Sequence, residues 1–106
     1  MWEVETFDHR VDEELAELPA DLKGKFLHIA ELLEEFGPHK VKEPYTKFLE
    51  SGLWEMRMRG SSGIARALYT IKGQRLIVLH VFVKKSQKTP RRALNLGRQR
   101  LKESQR

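Results

Sequence analysis

The chain has no cysteine among its 106 residues. Disulfides and thiolate metal sites are therefore excluded, and burial with polar pairing must hold the fold. Long apolar runs are also missing: none approaches the roughly 18 residues that a membrane span requires. The opening segment MWEVETFDHR carries no signal-peptide apolar stretch, so a cytoplasmic protein without membrane contact is expected. The four histidines, His9, His28, His39 and His80, show no ligand spacing, so neither a metal nor another cofactor is expected. The scarcest commodity is negative charge in the second half. Residues 51–106 hold 2 acidic and 14 basic side chains, whereas residues 1–50 hold 13 acidic and 6 basic ones. Net charges of −7 and +12 make up the overall +5.

A surplus of Lys and Arg gathered on one part of a small domain is the electrostatic footprint of a phosphate-backbone binder. The competing reading of the same surplus is a solvated basic surface with a basic tail. The length fits one domain spanning residues 1–106. A hydrophobic content of 40% against 33% charged residues describes a folded chain rather than a disordered one.

Periodicity supplies the elements. Trp2–Phe7 alternates and reads as a first strand. Asp8 is the expected N-cap of a helix carrying Val11, Leu15 and Leu18, which Pro19 ends. A second helix is predicted from Ala20 to Phe36, with Leu22, Phe26, Ile29, Leu33 and Phe36 on one stripe and Gly37-Pro38 as the stop. The acids of the first half are mostly the solvated side of this helical hairpin. Residues 39–52 read as irregular. Leu53–Arg59 and Ile64–Ile71 alternate as strands around the turn Gly60-Ser61-Ser62-Gly63. Lys72-Gly73 predicts a tight hairpin into Arg75–Val83, whose continuous apolar run marks a strand covered on both faces. Thr89-Pro90 has the N-cap and N1 chemistry of a last helix to about Lys102, with Leu94, Gly97 and Leu101 inward. The expected fold is α+β, in the order β-α-α-β-β-β-α, with helices on an antiparallel sheet.

Arg57 and Arg59 share a strand face, and Arg66 joins them from the next strand, away from Ala65, Ala67 and Tyr69. Three guanidiniums on one sheet face form either a phosphate-reading surface or a solvated outer face. On this open face Arg66 should be replaceable with little change in stability. Residues 84–92 then bring five more cations, Lys84, Lys85, Lys88, Arg91 and Arg92, with no acid. They run from a covered strand to a helix start, where backbone amides favour an anion. His80 depends on the hairpin: a two-residue loop pairs it with Ala65 and the core, a three-residue loop with Arg66 and the arginines. Trp54, Met56, Met58 and Tyr69 read as core. Trp2 is expected to pack on the final helix or on a partner.

The run Gly52-Leu53-Trp54-Glu55-Met56-Arg57, then Gly63, Arg66 and Tyr69, then His80-Val81-Phe82-Val83-Lys84-Lys85-Ser86-Gln87-Lys88-Thr89-Pro90, resembles the RelE/HigB superfamily of bacterial toxins. The similarity is greatest to its phage-derived, HigB-like branch, and it covers essentially the whole chain. It implies the toxin of a type II toxin–antitoxin system, an endoribonuclease that cleaves mRNA, usually in the ribosomal A site. It also implies a tight antitoxin partner, expected here to be a helix-turn-helix protein. Carried over by position, the family's basic residues fall on Arg57 with Arg59 beside it, on Arg66, and on Lys84 and Lys85. Lys88, Arg91 and Arg92 extend the RNA-binding set. Two departures bear on the general base: some members have lysine where this chain has Glu55, and the tyrosine some carry near the last helix has no counterpart after Lys84.

RNA cleavage by a 2′-hydroxyl needs in-line geometry, stabilisation of a dianionic transition state and movement of two protons. Arg57, Arg66 and Lys85 suit the second requirement. Candidates for proton transfer are, in order, Lys84 or Lys85 with a pKa lowered by cationic neighbours, then Glu55, then His80. Two other classes keep the basic face without catalysis: a nucleic-acid-binding module and a protein-interaction module.

Overall fold

The computed structural model describes residues 1–85 and 88–106, so the Ser86-Gln87 step of the motif lies outside the described residues. The elements are β1 (Glu3–Thr6), α1 (His9–Ala16), α2 (Ala20–Phe36), β2 (Thr46–Glu50), β3 (Leu53–Gly60), β4 (Gly63–Lys72), β5 (Arg75–Lys84) and α3 (Arg91–Ser104). The sheet order is β1-β5-β4-β3-β2. The α+β architecture is the expected one, with two corrections. The sheet is mixed rather than wholly antiparallel, because β1 runs parallel to β5. A fifth strand, β2, occupies part of the stretch expected to be irregular, paired antiparallel to β3. Its five residues, Thr46–Glu50, are too short a run to declare a period. Among the described residues no helix is long and apolar enough to cross a membrane.

The helical signals are honoured where a side chain or a φ angle enforces them. Asp8 accepts the Arg10 N–H as N-cap of α1. Leu22, Phe26, Ile29 and Leu33 bury the stripe of α2, and Gly37 ends that helix at φ +84°. A side chain at Gly37 would also meet Trp2, since a Cβ there would stand 2.8 Å from the indole Nε1. Trp2 thus packs under α2 and against His39, and of the two expected partners, the last helix or another protein, the first is not the one it meets. At α3 the start differs from expectation. Pro90 is the N-cap and no side chain caps the helix.

The two sheet faces have different covers. One packs Met56, Met58, Ala65, Ala67, Tyr69, Leu76, Val78 and Val81 against Val11 of α1 and the stripe of α2. The other packs Leu53, Ile77 and Leu79 against Leu94 and Leu101 of α3. Gly97 lets α3 approach closely, because a Cβ there would lie 2.7 Å from Leu68 Cδ1.

One irregularity decides which residues share a face. The β4–β5 hairpin begins with Lys72 opposite Arg75, and Tyr69 pairs with Val78, but Leu68 pairs with His80. Leu79 is therefore an extra residue, a bulge. Beyond it the alternation of β5 inverts: His80, Phe82 and Lys84 lie on the α3 face, with Arg66 and Leu68. The turn is the two residues Gly73-Gln74, not Lys72-Gly73, and neither expected pairing of His80 occurs. The bulge frees the Leu79 carbonyl, which accepts from Arg100 Nη1 at 2.9 Å. Arg100 is 6% exposed and also donates to both oxygens of Glu14 at 3.1 and 2.9 Å. Glu14 in turn accepts the Val81 N–H at 3.0 Å and meets His80 Nδ1 at 3.1 Å. One carboxylate from α1 thus ties α3 to the bulge.

Two outcomes follow from this network. Arg100→Ala should destabilise by about 1–3 kcal/mol, since it leaves the buried bulge carbonyl without its donor and takes the guanidinium from Glu14, which keeps Val81 and His80; a loss below about 0.5 kcal/mol in urea unfolding would contradict the network. Burial lowers the His80 pKa from 6.5, against the raising effect of Glu14, with Arg100 adding to the decrease. The unfolded chain therefore takes up the proton first as pH falls, so His80 makes stability decline from about pH 6.5 down through its folded value. His80→Asn should flatten that slope in unfolding curves measured across the acid range.

Candidate active site

Glu55 is the centre of the α3 face. It is 1% exposed, in a strand whose pleat turns Leu53, Glu55 and Arg57 to that side. Arg57 Nε donates to Glu55 Oε1 at 3.2 Å, and Arg66 Nε lies 3.5 Å from the same oxygen. The second oxygen accepts from Thr89 Oγ1 at 3.0 Å. Thr89, expected to cap α3, instead fastens the segment before that helix to the strand. Arg57 and Arg66 face each other across the β3–β4 ladder, a like-charged pair tolerable because Glu55 sits beside both.

Lys84 completes the group. It is 5% exposed at the end of β5, on Arg66's face because of the bulge. Burial lowers its pKa from the ordinary 10.5, and Arg66, Arg57 and Lys47 add to this against the opposing effect of Glu55. For Arg66, burial is likewise the largest effect, lowering its pKa, with Glu55 opposing and Arg57 and Arg59 reinforcing; a guanidinium remains charged nonetheless. Arg66 is 7% exposed, which corrects the expectation of an open face and of a substitution without structural cost. Its Nε has no hydrogen-bond partner among the described residues.

The other expected site residues spread outward. Arg59 is exposed and shares a cavity with Arg57 and Arg66. Lys85, Lys88, Arg91 and Arg92 are exposed around the start of α3. His80 is on the same sheet face, stacked on Phe82 at 5.1 Å, but its ring nitrogen is engaged by Glu14. The structure therefore brings together Arg57, Arg66, Lys84 and Glu55, and holds His80 and Lys85 outside that contact group.

The cavity beside the group has a volume of about 470 Å³ and is lined by Arg57, Arg59, Arg66, Lys25, His28, Ile29, Pro44 and Tyr45. It lies where β2 has ended and β3 is an open edge. Sequence reasoning missed Lys25, His28 and Tyr45. The available signal was an exposed aromatic beside Pro44 in a stretch without period.

Set beside known proteins, residues 13–102 match the family described as Phage derived protein Gp49-like (DUF891). No curated protein matches the chain. Among solved structures, the fold is similar to a chain of the toxin–antitoxin complex RelBE2 from Mycobacterium tuberculosis, with a TM-score of 0.59 and 19% identity. The alignment covers 80% of this chain and 93% of that one. The chain therefore belongs to the phage-derived Gp49-like family, and its fold is shared with a chain of that toxin–antitoxin complex.

Proposed function

We propose that the protein is the toxin of a type II toxin–antitoxin pair and that it cleaves mRNA on the ribosome, without a metal, through the cluster around Glu55. The observation that carries this reading is the convergence of Arg57 and Arg66 on one buried carboxylate, with the buried Lys84 on the same sheet face. Three cations against the buried Glu55 and the solvent-facing Glu43, 4.0 Å from Arg57, leave a net positive site, suited to a phosphate that gains charge during reaction. Support for the partner comes from the neighbour of similar fold, which is a chain of a toxin–antitoxin complex. Here the antitoxin is proposed to be a helix-turn-helix protein, and the site of action is the cytoplasm.

The reaction is attack of a ribose 2′-oxygen on its adjacent 3′-phosphorus, with departure of the 5′-oxygen of the next nucleotide. The products are a 2′,3′-cyclic phosphate and a free 5′-hydroxyl. Arg57 and Arg66 bind the non-bridging oxygens as a dianion develops. Lys84, whose pKa is depressed, takes the 2′-hydroxyl proton as the neutral amine. Lys85 is available at the mouth of the site to protonate the leaving oxygen. Glu55 is a positioning residue, because its oxygens are already engaged by Arg57 and Thr89. His80 is a structural residue of the bulge. Arg59, Lys88, Arg91 and Arg92 hold the flanking RNA backbone.

Expression of the protein alone should arrest growth and shorten cellular mRNA, and Arg57→Ala should abolish both while remaining folded. Losing one preorganised donor costs about 2–4 kcal/mol of transition-state stabilisation. Normal growth with full-length transcripts would refute the toxin reading. Arg57 is the better reporter than Arg66, since loss of the buried Arg66 also disturbs the fold.

The pH dependence isolates Lys84. A base of depressed pKa must lose its proton before it acts, so single-turnover cleavage of ribosome-bound mRNA should rise with pH and level off below 10.5. Lys84→Met should remove that rise and slow cleavage by on the order of 10²–10⁴. An unchanged pH profile in this variant would assign the base elsewhere.

A further inference from the structure

The cavity at the open edge of β3 combines features that the cleavage chemistry does not use. We propose that it is a nucleobase subsite, in which one base of single-stranded RNA stacks on Tyr45 while the adjoining phosphates lie on Arg57 and Arg59. The substrate class rests on the ribonuclease reading above, but the geometry is independent of it.

Tyr45 is 40% exposed, yet it is firmly placed. Its carbonyl accepts the Arg57 N–H at 2.8 Å, and its own N–H donates to the Lys42 carbonyl at 2.9 Å. The tyrosine backbone is therefore pinned to β3 at the residue whose guanidinium enters the candidate active site. His28 meets the ring at 6.1 Å and 76°. An edge contact of this kind fixes an aromatic ring without covering it as a stacked neighbour would.

Charge points to the ligand class. Lys25, Arg57, Arg59 and Arg66 line the cavity, and no carboxylate does among the described residues. The contrast within the molecule is informative. A second cavity, of about 580 Å³, also has an aromatic wall, Trp2, but it is lined by Glu3, Glu31, Glu34 and Glu35 and would repel a phosphate chain. A volume of about 470 Å³ falls within the range of roughly 300–1,000 Å³ typical of small-ligand pockets. An immobilised aromatic ring beside cations on a rigid strand is the arrangement by which proteins hold unpaired bases, and it tolerates any base because every base has a π-face.

The test uses a fluorescent oligoribonucleotide carrying 2′-O-methyl groups, which block the attacking hydroxyl and prevent cleavage. Its affinity is compared with that of the same strand containing abasic positions. For the wild-type protein the abasic strand should bind weaker by roughly 5- to 100-fold, the scale of one stacked base. Tyr45→Ala should bind both strands at the weak level, and Tyr45→Phe should restore the difference. On ribosomes, Tyr45→Ala should raise KM more than it lowers kcat. Equal affinity of the wild-type protein for the two strands, or Tyr45→Ala binding as wild type does, would overturn the subsite. Base-dependent binding together with intact ribosomal mRNA would uphold the subsite and refute the nuclease. Cleavage without any base dependence of affinity would do the reverse.

Discussion

The structure depends most on one buried carboxylate. The strongly basic second half has only two acids, Glu55 and Glu103. Glu103 pairs with Arg10 near the surface, whereas Glu55 is enclosed beneath Arg57, Arg66 and Thr89. Burying a charge is costly unless it is paired and hydrogen-bonded. Here the dependence runs in both directions: the arginines neutralise Glu55, and Glu55 is the carboxylate that compensates the enclosed Arg66 among the described residues. A neutral residue at 55 would leave two guanidiniums facing each other across the ladder and release Thr89 from the strand. The same carboxylate therefore spaces the cations and holds the approach to α3 against them.

The second constraint is the bulge at Leu79. Without it, β5 would continue the alternation of Leu76 and Val78, and Lys84 would lie on the α2 face, away from Arg66. One inserted residue moves the whole end of the strand to the other face. The cost is an unpaired carbonyl in a buried strand. Arg100 meets it from α3, and Glu14 of α1 compensates Arg100. The placement of a proposed catalytic amine thus depends on Arg100 and Glu14, residues on two helices that hold the bulge.

Much of the frame was legible in the sequence because its signals are local. Asp8 as a cap, the 3.6-residue stripe of α2, Gly37 as a stop and the alternation of β3 each reflect interactions within a few residues. The site was legible in part: spacing of two put Arg57 on Glu55's face, and pairing put Arg66 opposite it. What escaped depends on distant contacts. The run RLIVLHVFV is apolar on both faces and cannot declare a bulge, so the face of Lys84 and His80 was undetermined. Thr89 has the chemistry of a cap, but a buried carboxylate 34 residues earlier attracts its hydroxyl. β2 and Tyr45 follow from pairing with β3, which no short irregular segment reveals by itself. Burial of Arg66 required knowing that residues near the start of α3 close over the strand.

The separation of charge along the chain becomes something subtler in space. Acids of the first half do reach the basic half: Glu5 pairs with Arg75, Glu14 with Arg100 and Glu50 with Arg98, and the exposed Glu43 stands 4.0 Å from Arg57 beside the site. The exposed pairs among these contribute little stability, about 0–1 kcal/mol each. Their positions matter more than their energies. The pairs of Arg75, Arg98 and Arg100 each remove a cation from the free positive field, while Arg59, Lys85, Arg91 and Arg92 remain exposed. A field focused in this way raises the local concentration of a polyanion and orients its approach. The acidic helices behind the sheet would repel the same polymer, so the polarity of the molecule favours one face for the proposed RNA substrate before any specific contact forms.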